Sequence, residues 1–281
     1  MKIGQIGKGF VGSALAKSFN IKGINTKVYD KFQKIGTIED VLDTDIVFLC
    51  LPTPFLEGEH FDLSAIRENL QKLSKANYNG ICVLKSTVEI GVTKSLSEEY
   101  GLNICHNPEF LTERTAFEDF HNQDHIVLGC VEHSENFDKL ILLYKDLYPK
   151  AMVSVCSSDE SEAMKIFVNN FYAIKISIFN EFYFLCNSLS VDFSRVKDLM
   201  LLNKWISPHH TRVPGPDGKP FWGGNCFVKD THALLQQARG KGVPSLVLEA
   251  AIKERNEVRK DMTNIIKNNK SLPEILKAHR E

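Results

Sequence analysis

Gly7-Lys8-Gly9-Phe10-Val11-Gly12 follows the apolar run Lys2–Ile6 and leads into a helical apolar pattern from Val11 to Phe19. A G-x-G-x-x-G has chemical meaning only in that setting, with a strand before it and a helix after it. The first glycine permits the turn, the second admits a pyrophosphate, and the third lets helix and strand pack closely. The helix N-terminus then faces the phosphates. Asp30 closes the next β-rich run, 18 residues after Gly12, where a carboxylate can accept hydrogen bonds from the ribose hydroxyls of NAD. Lys31 beside it is a cation able to accept the 2'-phosphate of NADP, which tempers the preference for NAD. Without strand, helix and Asp30, the same six residues would be a glycine turn of any α/β protein.

Outward from this stretch, short β-rich runs alternate with helical patterns, the mark of a parallel sheet wound with helices on both faces. Strands are expected at Lys2–Ile6, Thr26–Tyr29, Ile46–Cys50, Ile81–Leu84, Ile104–Cys105, His125–Leu128 and Met152–Val155, with helices at Val11–Phe19, Leu63–Lys75 and Ser134–Leu147. From Ser158 the β-rich runs stop. Ser158-Asp159-Glu160-Ser161-Glu162 places acidic residues in a first helical turn, complementing the helix dipole. One long helix is expected from about Glu160 to Leu189, a shorter one from Phe193 to Leu202, a Pro/Gly-rich loop from Ser207 to Gly224, and two more helices to about Lys267. The fold class is therefore α/β: a Rossmann-type doubly wound parallel sheet over residues 1–156, followed by an all-α domain over 157–281 built on a long central helix.

The 281 residues suffice for about two domains, and 43% hydrophobic with 25% charged is ordinary for a globular chain. A formal net charge of -1 gives no footprint for nucleic acid or an anionic membrane surface. Seven cysteines form no C-x-x-C pair, and several sit in apolar runs such as Val47-Phe48-Leu49-Cys50, so a reducing, cytoplasmic setting and no metal site are expected. No signal segment is expected before the first strand. The apolar stretch Ile166–Leu189 carries Asn169, Asn170, Lys175, Asn180 and Glu181, too many polar groups for a membrane span.

Several motifs end strands at the edge where doubly wound sheets bind ligands. Cys50-Leu51-Pro52-Thr53-Pro54 is stiffened by its prolines, Ser86-Thr87-Val88 ends the next strand, and Asn107-Pro108-Glu109-Phe110-Leu111-Thr112-Glu113 carries two carboxylates four residues apart. If that segment turns helically after Pro108, Glu109 and Glu113 share a face; solvated helix charges are the blander reading. Lys165 and Asn169 are i and i+4 on an otherwise apolar helix, and a buried Lys and Asn need partners or a substrate. Asn180 stays near that face. Gly223-Gly224-Asn225-Cys226-Phe227-Val228-Lys229-Asp230 sets a thiol, an ammonium and a carboxylate after a diglycine. A cysteine so placed near a helix start is a candidate nucleophile, and equally an ordinary buried Cys after a turn.

The glycine fingerprint, C-L-P-T-P, S-T-V, N-P-E-F-L-x-E, the E-x-x-K-x-x-x-N helix, V-P-G-P-D-G (Val213–Gly218) and G-G-x-C-F-x-K-D occur in order along essentially the whole chain. In this the chain resembles the UDP-glucose/GDP-mannose dehydrogenase family, its UDP-glucose 6-dehydrogenases above all. The resemblance implies oxidation of the sugar C6 alcohol to a carboxylate, UDP-glucose to UDP-glucuronate for polysaccharide biosynthesis, with two hydrides passed to NAD. Cys226 matches the nucleophile that holds the intermediates as thiohemiacetal and thioester. Lys165 and Asn169 match groups stabilising negative charge on the C6 oxygen. Asp230 matches a carboxylate ordering the catalytic water or supporting Lys165, and Thr87 with Glu109 a water-linked acid-base pair. The same resemblance assigns Gly7, Gly9, Phe10, Val11, Gly12, Asp30, Pro52, Thr53, Thr87 and Glu113 to the cofactor. It assigns Glu109, Phe110, Leu111, Lys165, Asn169, Gly223 and Cys226 to the nucleotide-sugar substrate, and implies a homodimer through the long helix.

Val228 stands where the family usually has proline, and Phe221-Trp222 where its loop usually begins Gly-Phe. Family members also carry a further α/β domain that grips the nucleotide, and none is expected within these 281 residues. Two other readings stay open: a β-hydroxyacid dehydrogenase, against which Cys226 weighs because simple alcohol oxidation needs no covalent nucleophile, and a non-catalytic NAD-binding dimer serving as a partner subunit.

Overall fold

The computed structural model describes residues 1–56 and 60–259. They divide into two compact units, Met1–Pro54 with Phe61–Lys165, and Phe55–His60 with the residues from Ile166 onward.

In the first unit the order is β1 (Ile3–Ile6), α1 (Phe10–Ile21), β2 (Thr26–Tyr29), α2 (Glu39–Leu42), β3 (Ile46–Leu49), α3 (Ser64–Lys75), β4 (Ile81–Leu84), α4 (Val92–Tyr100), β5 (Ile104–His106), α5 (Ala116–His121), β6 (His125–Cys130), α6 (Glu135–Leu147) and β7 (Met152–Ser157). Among the described residues these strands form a seven-stranded sheet ordered β2-β1-β3-β4-β5-β6-β7. Every residue of β1, β3 and β4 is buried, as expected of strands covered on both faces. One face packs Leu15, Phe19, Phe48, Phe120, Phe137 and Tyr144. The other packs Val47, Leu49, Ile66, Leu70, Leu84 and Leu96.

The sheet is mostly rather than wholly parallel, because β5 and β6 pair antiparallel. The connection between them holds only the 3-10 turn Glu113–Thr115 and the six-residue α5. A helix of that length advances the chain about 9 Å, too little for the crossover that a parallel neighbour requires. The 13-residue α6 does span the crossover, and β7 accordingly lies parallel to β6.

Strand order reverses between β1 and its two neighbours, so the carboxyl ends of β1 and β3 open the crevice where such sheets bind ligands. Gly7 sits there at φ 91°, and a Cβ on it would lie 2.3 Å from the Cys50 carbonyl oxygen, so only glycine fits.

The long helix α7 (Ser158–Ser188) starts directly after β7. Its cap is Ser157, one residue earlier than the Ser-Asp-Glu pattern indicates. The Ser157 hydroxyl accepts from the Glu160 amide at 3.3 Å while the Glu160 carboxylate accepts from the Ser157 amide at 2.8 Å, a reciprocal capping box. Glu162, wholly buried, accepts from the amides of Gly91 and Thr93, both at 2.7 Å, and so satisfies the start of α4.

The second unit contains the remainder of α7 with α8 (Phe193–Leu201), α9 (Gly224–Gly240) and α10 (Leu246–Val258). Its core gathers Ala173, Trp222, Val228, Leu235, Leu248 and Ile252. Trp222 is anchored at both ends of its polarity: its indole donates to Ser177 Oγ at 3.0 Å, and its carbonyl accepts from Arg255 Nε at 3.0 Å. The helical extension expected to about Lys267 falls, beyond 259, outside the described residues. Among those described, no helix is long and apolar enough to cross a membrane.

Glu162→Ala should destabilise the chain by about 2–4 kcal/mol, because it strands two buried amides, whereas Ser157→Ala at the exposed cap should cost only about 1 kcal/mol. Urea unfolding of the two variants checks the order; equal losses would mean that Glu162 is not the anchor of α4.

Candidate active site

In the first unit, the glycine loop leaves room where a phosphate needs it. A Cβ at Gly12 would strike the Gly7 carbonyl oxygen at 2.2 Å, but one at Gly9 would meet nothing within 4 Å. Gly9 is also the N-cap of α1, and no side chain caps its amides, so the helix start is open to an anion. Phe10, 39% exposed, and half-buried Val11 form the first turn beside it. These are the features that NAD requires of the chain.

Asp30 is 8% exposed, and its carboxylate accepts from three backbone amides: Lys8 at 2.7 Å, Phe32 at 2.9 Å and Gln33 at 2.8 Å. It therefore ties the glycine loop to the turn after β2, a task that the spacing rule did not reveal. One oxygen, Oδ2, carries a single amide and keeps a lone pair for a ribose hydroxyl. Pro52 is half-buried beside Thr53, whose hydroxyl donates to the Thr87 carbonyl at 2.7 Å. Ser86 Oγ donates to the Leu51 carbonyl at 2.5 Å. The C-L-P-T-P and S-T-V loops are thus joined, with Thr87 9% exposed.

The N-P-E segment is not helical, and Glu109 and Glu113 do not share a helix face. Residues 107–112 run as extended loop, and a 3-10 turn starts at Glu113. Pro108 disfavours the helical region for Asn107 and removes an amide donor. The Glu113 side chain lies outside what is described. Glu109 instead turns inward: Oε2 accepts from the Leu111 amide at 2.6 Å, and Lys165 Nζ donates to the Glu109 carbonyl at 2.6 Å and to Oε1 at 3.3 Å. The ion pair is nearly dry, with side-chain exposures of 5% for Lys165 and 9% for Glu109. Lys165 also lies over the Phe110 ring, 5.4 Å from its centroid. The structure thereby brings together Glu109, Phe110, Leu111 and Lys165.

Beneath them is a second buried lysine that the motif reading passed over. Lys85, 2% exposed, donates to Asn107 Oδ1 at 2.9 Å. Asn107 Oδ1 also accepts from the Tyr144 hydroxyl, and Asn107 Nδ2 donates to the Val127 carbonyl at 2.8 Å. Burial pushes the Lys85 ammonium down to about 8. His106 next to it, hydrogen-bonded to Ser161 Oγ at 2.8 Å, is pushed by burial and then by Lys85 to about 3 and stays neutral. The signal in the sequence was a lysine directly after the apolar run Ile81–Leu84, too ordinary to single out.

In the second unit, Cys226 is exposed in the first turn of α9, three residues after its N-cap Gly223. Gly223 lies against the Arg259 guanidinium, 2.4 Å from where a Cβ would begin, so a side chain here would displace that guanidinium. Asp230, one turn below Cys226 on α9, is fully buried. Its Oδ2 accepts from Asn169 Nδ2 at 2.6 Å, its Oδ1 from Lys229 Nζ at 2.7 Å, and its carbonyl from Asn170 Nδ2 at 3.2 Å. Asn170 had not been singled out. Val228, in place of the usual proline, is 1% exposed and fills the unit's core. Asn180 Oδ1 accepts from the Phe221 amide at 2.8 Å, fixing the loop before the diglycine. Among the described residues, no cluster of three or more His, Cys, Asp or Glu could hold a metal ion.

Comparison with known proteins gives matches across both units. The model of the UDP-glucose/GDP-mannose dehydrogenase family, NAD binding domain, matches residues 30–148, and that of the family's central domain matches residues 159–257. UDP-glucose 6-dehydrogenase AglM of Haloferax volcanii is 32% identical over 247 residues, covering 79% of this chain and 55% of that protein. The chain spans about half the length of the curated relatives it matches. A UDP-glucose dehydrogenase structure from Pyrobaculum islandicum superposes with a TM-score of 0.77 at 26% identity, over 90% of this chain and 67% of that one. The 3-hydroxyisobutyrate dehydrogenase of Mycobacterium tuberculosis shares the fold with a TM-score of 0.72 at 17% identity, covering 96% of this chain and 99% of its own.

Lys85 supplies a test of the buried network that needs no substrate. Its ammonium has a folded pKa of about 8 against 10.5 unfolded, so between those values the unfolded chain binds more protons and stability rises with pH. The stability of the native chain relative to Lys85→Met should therefore increase from pH 8 to pH 10, as read from urea midpoints; a flat difference would place Lys85 in contact with water.

Proposed function

The chain belongs to the UDP-glucose/GDP-mannose dehydrogenase family, and from that premise we propose that it is an NAD-dependent nucleotide-sugar oxidoreductase acting on UDP-glucose. The observation that carries the reading is an exposed thiol in the first turn of α9 with a buried, hydrogen-bonded carboxylate one turn below it. A β-hydroxyacid oxidation has no use for that pair.

Cys226 attacks the C6 aldehyde carbon, forming a C–S bond, and the resulting thiohemiacetal loses hydride to become a thioester. NAD, when bound in the glycine cradle, supplies the hydride acceptor for both oxidations. Water then cleaves the C–S bond and releases the carboxylate with the Cys226 thiol. Lys165 offers an ammonium to developing negative charge on the C6 oxygen, and its dry setting strengthens that attraction. Glu109 holds Lys165 in place and, with Thr87, handles protons at the alcohol and the hydrolytic water. Asp30 meets the adenosine ribose. The V-P-G-P-D-G loop favours a UDP sugar over a GDP sugar, and Asp217 within it is paired to Arg259 at 2.7 Å.

We assign the same chain to a homodimer through α7. That helix exposes Phe167 at 53%, Phe171 at 63% and Leu185 at 57%, apolar surface out of keeping with a solvated helix. We place the chain in a reducing, cytoplasmic setting because cysteines such as Cys82 and Cys105 behave as small hydrophobes, fully buried within the sheet's cores.

Incubated with NAD and UDP-glucose, the chain should form two NADH per sugar acid, and Cys226→Ala should abolish acid formation; NAD binding without turnover of any nucleotide sugar would overturn the enzyme reading. Phe171→Glu should shift the sedimentation of the chain from dimer to monomer, and an unchanged dimer would move the interface off α7.

A further inference from the structure

Lys31 follows Asp30 at the carboxyl end of β2, where a cation meets the 2'-phosphate when a Rossmann domain takes NADP. In this structure that cation is already engaged. Lys31 Nζ lies 3.0 and 3.2 Å from the two carboxylate oxygens of Glu68 on α3, and Lys72, i+4 from Glu68, lies 2.8 Å from Glu68 Oε1. The side chains of Lys31, Glu68 and Lys72 are 58%, 41% and 34% exposed, so the triad faces the solvent in which a cofactor phosphate would arrive. Lys72 first, and then Lys31, hold the Glu68 carboxyl below its usual range, so it is ionised at neutral pH. Glu68 therefore places a carboxylate, shared with Lys72, in contact with Lys31, the cation that directly follows the ribose carboxylate. Asp30 contributes a second negative charge on the other side, with three amides already on it.

We propose that Glu68 sets the preference for NAD over NADP, by pairing Lys31 and opposing a 2'-phosphate at the end of β2. The inference rests on the NAD-binding reading and adds to it a residue from α3 that lies outside the glycine fingerprint. A ribose 2'-hydroxyl is indifferent to the carboxylate charge. A phosphate carrying nearly two charges is not.

The test is isothermal titration of the chain with NAD and with NADP at low salt, for the native protein, Glu68→Gln, Lys31→Ala and the double variant. Glu68→Gln should leave NAD affinity unchanged and raise the NADP-to-NAD affinity ratio about tenfold, a gain that shrinks at high salt, as expected for solvent-exposed charges. The gain should vanish in the double variant. An unchanged ratio in Glu68→Gln, with NAD still bound, overturns the proposal alone. Persistence of the gain without Lys31 also overturns it and assigns the phosphate to Lys34, the other cation of that turn. Failure of the native chain to bind either cofactor removes the NAD-binding reading itself.

Discussion

A polar or charged group taken out of water must find a complementary partner, and the first two turns of α7 obey that constraint three times over. Glu162 meets two amides at the start of α4, Ser161 meets His106 at the end of β5, and Lys165 meets Glu109. Each partner belongs to a loop or strand end at the carboxyl edge of the sheet. A single helix start therefore fixes the loops after β4 and β5, and a change in any one of these pairs is felt as an orphaned charge or amide. Lys85 extends the same logic downward, tying Asn107 and with it the loop that presents Glu109.

The sheet was readable from the chain because its strands are short apolar runs bounded by loops, and because the glycines answer local steric demands that any such fold imposes. Gly7 and Gly12 are dictated by backbone oxygens 2.3 and 2.2 Å from where a side chain would begin. The two halves of the parallel rule failed at β5 and β6, since direction depends on the length of the crossover and not on strand composition. Reading 107–113 as a possible helix failed for a related reason. The spacing of Glu109 and Glu113 fits a helix, but the Glu109 carboxylate takes the Leu111 amide and its carbonyl takes Lys165, so those groups are not available to a first helical turn.

The partners of the site residues were least legible. Asp30, Lys165 and Asp230 could be picked out as polar groups at meaningful positions, but their partners lie far away in sequence: Lys8 is 22 residues from Asp30, Glu109 is 56 from Lys165, and Asn169 is 61 from Asp230. Lys85 shows no local pattern, and its importance is visible only as burial; Glu162 opens the E-x-x-K-x-x-x-N pattern, but its amide partners at the start of α4 do not show in the sequence.

Asp230 illustrates what those partners change. A carboxylate beside a nucleophile invites the role of a base for water; here it is fully buried, and each of its oxygens already accepts one hydrogen bond, from Asn169 and from Lys229. Its stronger effect is on Asn169. An amide nitrogen carries two hydrogens, and one of those on Asn169 Nδ2 is committed to Asp230. That bond fixes which end of the Asn169 amide is the donor end, leaving the second N–H aimed by geometry and not by free rotation. A donor held in advance costs no reorganisation when negative charge develops on a substrate oxygen, which is the condition for a large electrostatic contribution to rate. Under the mechanism proposed above, Asp230 would act through Asn169 as a positioning residue, with its own charge beside Lys229.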